Sequence, residues 1–295
     1  MRTESLRAMA IAVPGSERER EFAFDDRDFE RIRELIYQHA GISLSAQKRD
    51  MVYSRVARRL REVGLDSFDA YLSHLDASGP EEWQAFTNAL TTNLTAFFRE
   101  SHHFPLLAEH VTQQSQRPLK IWCAAASTGE EPYSLAITMA EAFRTMAPPV
   151  KILASDVDTN VLEQARRGVY AMERVEKLER ARLNRFFLRG TGPNEGQVKV
   201  RPELRDLVTF RRINLLDLDW KLNGPFDVIF CRNVMIYFDK PTQARILERF
   251  APLLRPNGLL FAGHSESLFH VSHVFRLRGK TVYELAPRRL ARASA

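Results

Sequence analysis

The chain has 295 residues, 44% of them hydrophobic and 27% charged, which is typical of a soluble globular protein with one large domain or two modest ones. No apolar stretch approaches the roughly 20 residues that cross a bilayer, and two cysteines without metal-ligand spacing exclude a disulfide framework and a cysteine metal site. The net charge of +6 favours an acidic partner, which leaves nucleic acid, anionic lipid and acidic protein surfaces open.

The two ends of the chain carry no clear folding signal. Residues 1–20 contain a short apolar piece between polar flanks, too short for a secretory signal and without a convincing cleavage site. We therefore expect a mobile tail there, a second tail at 288–295, and a cytoplasmic location.

Residues 21–90 predict an all-helical domain of four short helices without a strand. Apolar side chains recur at helical spacing, as Phe29, Ile32 and Ile36 do in the first helix. Residues that favour helix ends mark the boundaries. These are Gly41, Ser45, Gly64, Ser67 and Pro80.

From residue 116 to 287, strands alternate with helices, which predicts a parallel sheet covered on both faces. The predicted strands are 119–125, 150–154, 208–213, 226–230 and 258–262. The predicted helices are 132–143, 159–167 and 243–254. An antiparallel hairpin at 275–285 closes the domain.

A segment at about 168–206 interrupts this alternation. It contains a turn-rich run of glycine and proline, and residues 197–201 alternate in the manner of an edge strand. We interpret the segment as a small β insertion at the periphery of the sheet.

Ligands of open parallel sheets bind beyond the carboxyl ends of the strands. Small residues and Gly129 follow the first predicted strand, Asp156 follows the second, and residues 214–215 and 231–237 follow the next two. No G-x-G-x-x-G fingerprint and no phosphate-binding loop is present. A nucleoside without a phosphate cradle fits S-adenosylmethionine better than NAD or ATP.

Four blocks together resemble the chemoreceptor glutamate methyltransferase family, known as CheR-type. They are residues 91–100 (TTNLTAFFRE), 122–133 (WCAAASTGEEPY), 230–238 (FCRNVMIYF) and 258–266 (GLLFAGHSE). The resemblance runs from about residue 20 to 287. It implies an α/β protein: a Rossmann-like S-adenosylmethionine-dependent methyltransferase sheet with a C-terminal antiparallel hairpin, a small β insertion and an N-terminal all-helical domain that recognises the receptor.

The resemblance also implies a cofactor site, to which the linker at 91–115 contributes. Glu130 would contact the amino-acid end of S-adenosylmethionine, and Asp156 its ribose. Asn214 and Leu215 would contact the adenine. The full implied set is Asn93, Thr95, Arg99, Glu130, Asp156, Asn214, Leu215, Arg232 and Asn233.

Arg99 and Tyr237 are the implied catalytic residues. A glutamate carboxylate has a reference pKa near 4.3, so it is already a nucleophile at neutral pH, and the reaction requires neither a general base nor a metal. The guanidinium of Arg99 suits a carboxylate, of the acceptor or the cofactor, and Tyr237 would lie near the sulfonium or the incoming acid. The products would be a glutamate methyl ester and S-adenosylhomocysteine.

Two further groups are candidates for binding the receptor. A basic flank of the second helix would face the acidic helical bundle of a chemoreceptor, and the glycine-rich loop with strand 197–201 would add a C-terminal receptor peptide as an extra strand. The residues are Lys48, Arg55, Arg58 and Arg59 on the helix, and Gly190, Gly192 and Gly196 in the loop. We expect a monomer that binds neither nucleic acid nor the membrane interior.

Three other functions compete with a chemoreceptor methyltransferase. A nucleic-acid methyltransferase would fit the basic charge, but amino-directed members of that class carry a proline-rich turn where residues 232–235 read RNVM. A cofactor-binding scaffold without activity would have lost site residues that are all present here. A serine hydrolase is indicated only by residues 263–267 (GHSES), where Ser267 replaces the glycine that a nucleophile elbow needs.

Overall fold

The computed structural model describes residues 20–287. The tails predicted at 1–20 and 288–295 therefore lie outside the described residues, except for Arg20. Across the described range, none of the helices has both the length and the apolar character needed to cross a bilayer.

The N-terminal part consists of the four predicted helices. They are α1 (Asp26–Ala40), α2 (Arg49–Val63), α3 (Phe68–Ala77) and α4 (Pro80–Leu90). Gly41 and Gly64 end α1 and α2 in the left-handed conformation, and the Ser67 side chain caps α3. Ser45 differs from expectation: a short 3₁₀ turn, Ala46–Lys48, precedes α2, and the Ser45 side chain forms no capping hydrogen bond.

The apolar stripes of these helices meet in a core of their own. Its fully buried members include Ile32 and Ile36 of α1, Val52 and Leu60 of α2, and Leu72 of α3. Because each helix presents apolar residues every third or fourth position, the four stripes can pack together without a strand.

The rest of the chain builds a seven-stranded sheet. Its strands are β1 (Leu119–Cys123), β2 (Val150–Asp156), β6 (Val208–Arg212), β7 (Phe226–Phe230), β8 (Leu254–Phe261), β9 (Phe275–Gly279) and β10 (Val282–Leu285). The spatial order is β6-β2-β1-β7-β8-β10-β9, with parallel pairing through β8 and antiparallel pairing of β10 with β8 and β9. The predicted fold class is confirmed.

Helices cover both faces of the sheet. They are α5 (His103–Gln113), α6 (Glu130–Ala142), α7 (Thr159–Arg167) and α10 (Lys240–Phe250), with the short α8 (Arg180–Phe186) and α9 (Pro202–Arg205) at the periphery. One apolar cluster lies against α5 and α6, and a second lies against α10. The predicted linker at 91–115 thus contains a complete helix, α5.

The chain direction changes at the middle of the sheet. From β1 the chain moves through β2 to β6 on one side, and it then returns to place β7 on the other side of β1. Such a switch point opens a crevice at the carboxyl ends of the two central strands, where ligands of these sheets bind.

The β insertion forms a separate three-stranded antiparallel sheet. Its strands are β3 (Val169–Ala171), β4 (Phe187–Arg189) and β5 (Gln197–Val200), in the order β3-β5-β4. The edge position expected for residues 197–201 is therefore wrong, because β5 pairs on both sides. The free edges belong to β3 and β4. The expectation failed because a period-two pattern reveals a half-buried strand but not its number of neighbours.

Candidate active site

A cavity of about 440 Å³ lies at the switch point, between the carboxyl ends of the central strands and the four-helix part. Its volume falls within the roughly 300–1,000 Å³ of typical ligand pockets. Most of the predicted site residues line it, and they come from five separate segments of the chain. These are Lys48, Asn93, Thr95, Arg99, Asp156, Asn214, Leu215, Arg232, Asn233 and Tyr237.

Asp156 ends β2 at the wall of the cavity and is only 9% exposed. Its carboxylate accepts hydrogen bonds from the backbone N–H groups of Ser127, at 2.8 Å, and Asp158, at 3.0 Å. Burial raises the pKa of Asp156 to about 6, with a further rise from the Asp158 charge, against the lowering effect of these two N–H donors. Each oxygen keeps capacity to accept one more hydroxyl donor.

Ser127 is a wall residue that the motif analysis did not single out. Its backbone φ of 46° is unusual for a residue with a side chain, and its buried hydroxyl oxygen has no partner among the described residues. A buried hydroxyl without a partner beside a cavity indicates a site for a polar ligand.

The segment at 91–99 is fastened before it enters the cavity. The Asp158 carboxylate accepts hydrogen bonds from the Thr91 hydroxyl, at 2.7 Å, and from the Asn93 amide, at 2.9 Å. The Arg99 guanidinium donates to the Leu94 carbonyl at 2.8 Å, which closes a turn around Thr95. Asp158 therefore positions Asn93, a predicted cofactor contact, without lining the cavity itself.

Glu130 does not lie where the resemblance implied. It is fully buried behind the wall, where its carboxylate is ion-paired with Arg174 and accepts the Thr128 hydroxyl at 2.6 Å. The next residue, Glu131, lines the cavity instead. Successive helical positions differ by about 100° in direction, so adjacent carboxylates at the start of α6 cannot face the same space.

Glu131 is joined to a buried charge network. Its carboxylate accepts from Arg232 Nη1 at 2.8 Å and from the Cys123 thiol at 3.2 Å. Burial raises the pKa of Glu131, while the Arg232 charge acts against this rise. The Arg232 side chain is wholly enclosed and also donates to the Arg99 carbonyl at 2.6 Å.

Glu100 is the second carboxylate beside Arg232, 3.2 Å from Nη2. Burial alone would raise its pKa, but hydrogen bonds from His264 and Asn233 and the Arg232 charge outweigh it and hold the pKa at about 2. His103 and His102 bring further ligand-type atoms close to Glu100. A cation there would be repelled by the positive charge of Arg232, which lies 3.2 Å from the Glu100 carboxylate.

Asn233 has a φ of 58° and donates its backbone N–H to Glu266 at 2.9 Å. The same Glu266 oxygen accepts from the Gly263 N–H at 2.6 Å. These contacts give Glu266 a structural role next to the cavity, where it fixes the backbone of Asn233 and Gly263.

The helical part closes the side of the cavity on which Asn214 lies. Asn214 donates its side-chain amide to the His39 carbonyl at 3.0 Å, and the Ser43 N–H donates to the Tyr237 carbonyl at 2.9 Å. Burial raises the pKa of the Tyr237 hydroxyl, against the neighbouring charges of Arg99 and Arg55. The two parts of the chain therefore share one site.

Two exposed apolar side chains stand at the mouth of the cavity. Leu94 is 75% exposed and Ile236 is 52% exposed, and both line it. Neither was expected from the sequence, because an isolated apolar residue in a polar motif is normally a packing residue.

The four basic residues on and before α2 are not equivalent. Arg55 donates to the carbonyls of Ala89 and Thr91, and Arg59 pairs with Glu82 and Glu62. Lys48, at the cavity mouth, and Arg58 are exposed. The expected basic flank thus retains two exposed charges, because α4 supplies partners for the other two.

The glycines of the insertion lie away from the cavity. Gly190 follows β4, where an added Cβ would lie 2.0 Å from the Asn194 carbonyl oxygen, so only glycine fits there. Gly192 and Gly196 have positive φ and nothing within 4 Å of an added Cβ. The loop is therefore closely packed at Gly190, directly after β4, and open at the other two glycines.

Comparisons with known proteins agree with this geometry. The model of the all-alpha domain of CheR methyltransferase matches residues 27–91, and that of the SAM binding domain of CheR methyltransferase matches residues 93–284. Chemotaxis protein methyltransferase 2 of Pseudomonas aeruginosa is 60% identical over 268 residues, covering 90% of this chain and 95% of the relative. The chemotaxis protein methyltransferases of Salmonella typhimurium and Escherichia coli are 58% and 57% identical, each covering 90% of this chain and 92% of the relative.

Proposed function

The chain belongs to the CheR methyltransferase family, which makes it an S-adenosylmethionine-dependent methyltransferase of chemoreceptors, and we propose that the switch-point cavity is its active site and glutamate its acceptor. The observation that carries the assignment is Asp156. A buried carboxylate at the end of β2, with lone pairs left over, is suited to accept two vicinal hydroxyls of a ribose.

The other wall residues support the same cofactor. Glu131 takes the place that the sequence assigned to Glu130 and would bind the ammonium of the methionine part. Arg99 would bind the neighbouring carboxylate, as its planar fork allows. Ser127 offers a hydroxyl without a protein partner, and Leu215 an apolar surface for the adenine.

S-adenosylmethionine, when bound, supplies a methyl group already activated by positively charged sulfur. The protein has to orient the acceptor carboxylate in line with that methyl group and to exclude water. Leu94 and Ile236 at the mouth are suited to remove water from around the acceptor, and the Tyr237 hydroxyl would hold the acceptor's oxygens. No side chain has to take up a proton, because the acceptor is ionised at neutral pH.

Recognition of the receptor is proposed to use two surfaces. Lys48 at the cavity and the exposed Arg58 on α2 would present positive charge to an acidic receptor helix. The free edge of β4, in place of β5, would pair with a C-terminal receptor peptide by strand addition. Both cysteines are free thiols, which is usual in the cytoplasm, the compartment we propose.

The function is tested by two linked measurements. Calorimetry should show micromolar binding of S-adenosylmethionine and S-adenosylhomocysteine, lost in Asp156→Ala. Labelled methyl should then pass to receptor fragments in a form that mild base releases, as an ester requires. The transfer should be faster for a fragment that keeps its C-terminal peptide than for one without it.

Three outcomes would contradict the proposal. Failure of the unaltered protein to bind the cofactor would remove the methyltransferase site. Binding without transfer to any receptor fragment would leave a scaffold function. Label that resists mild base would exclude a carboxylate acceptor.

A further inference from the structure

We propose that Arg174 of the β insertion is a positioning residue for methyl transfer, which braces the cofactor-binding segment 93–99 against the start of α6. The inference rests on the proposed function of the cavity. Arg174 ends a short 3₁₀ turn, Met172–Arg174, directly after β3. It does not line the cavity, so its effect would pass through other residues.

The contacts of Arg174 connect three parts of the chain. Its guanidinium is ion-paired with Glu130, to which Nε donates at 3.1 Å, and Nη2 also donates to the Thr95 carbonyl at 3.1 Å. Glu130 is fully buried, whereas the Arg174 side chain is 43% exposed. Arg174, at the periphery, therefore pairs with the buried carboxylate of Glu130 and also binds the backbone of Thr95, which lines the cavity.

Other contacts fasten the same segment to the same surroundings. The Phe97 ring packs edge-on against Tyr170 of β3, with centroids 5.0 Å apart, and against Phe187 of β4, at 5.4 Å. The Phe98 N–H donates to the Ser134 hydroxyl of α6 at 2.9 Å. These contacts hold the C-terminal half of the segment, whereas the Arg174 bond holds the Thr95 carbonyl inside the turn that Arg99 and Leu94 close.

The first loop of the sheet depends on the insertion as well. Tyr170 donates its hydroxyl to the Thr128 carbonyl at 2.8 Å, and the Thr128 hydroxyl donates to Glu130. An added Cβ on Gly129 would lie 2.6 Å from the Tyr170 oxygen. The insertion thus contacts both the loop that carries Ser127 and the segment that carries Thr95.

Two roles for Arg174 make different predictions. If Arg174 only neutralises Glu130, its loss lowers stability through the unpaired buried charge, and removing that charge restores both stability and cofactor binding. If Arg174 positions Thr95, removing the charge restores stability alone, because the bond to the Thr95 carbonyl stays absent.

The test compares Arg174→Met with the double variant Arg174→Met/Glu130→Gln, by calorimetry with S-adenosylhomocysteine and by thermal unfolding. We expect Kd to rise about tenfold in both variants, the scale of one lost charged hydrogen bond. The melting temperature should fall in the single variant and recover in the double one. The double variant keeps the test valid even if the single variant does not fold.

Arg255→Met is the matched control. Arg255 Nε lies 2.9 Å from the buried carboxylate of Asp227 in β7, near the amino end of the strand and away from the cavity. This variant should lose stability and keep its Kd. A double variant that binds with the Kd of the unaltered protein would overturn the positioning role. If the unaltered protein failed to bind S-adenosylhomocysteine, the proposed function itself would be contradicted, and not only the role of Arg174.

Discussion

Three carboxylates around the cavity show how burial and partners set the charge of single residues. Asp156 is buried with only N–H donors, and its pKa rises to about 6. Glu100 has a cation and two side-chain donors beside it, and its pKa falls to about 2. Glu131 shares Arg232 with Glu100, and burial dominates its shift. The pKa of Asp156, about 6, therefore lies within the pH range in which ligand binding can be measured.

The pH dependence of cofactor affinity follows from Asp156. Ribose hydroxyls donate to the ionised carboxylate, so binding favours that form and lowers the pKa of Asp156 in the complex. Affinity should therefore rise with pH through this pKa of about 6 and level off by about pH 7, with a loss of about fivefold from pH 6 to pH 5.

Calorimetric titrations with S-adenosylhomocysteine between pH 5 and 7.5 would measure this dependence. Asp156→Asn is the control, since an amide does not titrate; it should bind more weakly, with a flatter profile. A profile for the unaltered protein that is level across this range would exclude Asp156 as the titrating contact.

At the scale of elements, α2 illustrates how a neighbouring helix decides which residues of a basic flank remain free to bind a partner. Its basic residues share one flank, yet α4 provides Glu82 for Arg59 and carbonyl oxygens for Arg55. The hydrogen bonds that Arg59 donates to Glu82 raise the pKa of Arg59, so this guanidinium remains charged and paired. Arg58 is exposed, and no ion pair joins it to another residue of the range 20–287.

Alanine variants of Arg58 and Arg59 should therefore separate receptor binding from stability. Arg58→Ala should change the free energy of unfolding by no more than about 0.5 kcal/mol, yet slow methylation at low receptor concentration several-fold, most strongly at low salt. Arg59→Ala should lower stability by about 1–2 kcal/mol, because Glu82 loses its partner.

Chemical denaturation and methylation rates at two salt concentrations would measure both effects. Equal rates for Arg58→Ala and the unaltered protein at low salt would show that this charge does not meet the receptor.

At the scale of the whole molecule, the cavity exists because the helical part lies on the open end of the sheet. Gly41 ends α1 at this junction, with a φ of 69°, and an added Cβ would lie 2.7 Å from the Leu216 side chain and 3.0 Å from Phe238. Ala40 and Ile42, its neighbours, line the cavity. The C-terminal end of α1 thus determines how closely the helical part packs against the sheet part.

Gly41→Ala and Gly64→Ala form a matched pair that tests this fit. Both glycines end helices in the left-handed conformation, but Gly64 has nothing within 4 Å of an added Cβ. Each alanine should cost about 1–2 kcal/mol of backbone strain. Gly41→Ala should cost a further 1–3 kcal/mol, roughly, from overpacking.

Only Gly41→Ala should also weaken cofactor binding, which calorimetry beside thermal unfolding would show. Equal losses of stability for the two variants, with unchanged affinity, would mean that the junction adapts without disturbing the cavity.

Much of the architecture could be predicted from local patterns. Apolar periodicity and end signals located α1, α3, α4 and α7 closely, and the strand–helix alternation predicted the parallel sheet. The motifs brought together most of the cavity wall, because parallel strands end at a common edge. The helices depend on residues near each other in the chain, and the common edge follows from the strand–helix alternation, so the sequence alone determined both.

Features that depend on contacts between residues far apart in the sequence were decided only by the tertiary structure. The direction of α6 turned Glu131, and not Glu130, toward the cavity, and the pairing of β5 on both sides moved the free edge to β4. Arg174 reaches Thr95 across 79 residues of sequence, a contact that no local pattern records. Periodicity specifies which residues share a face, whereas the packing of the elements decides what that face meets.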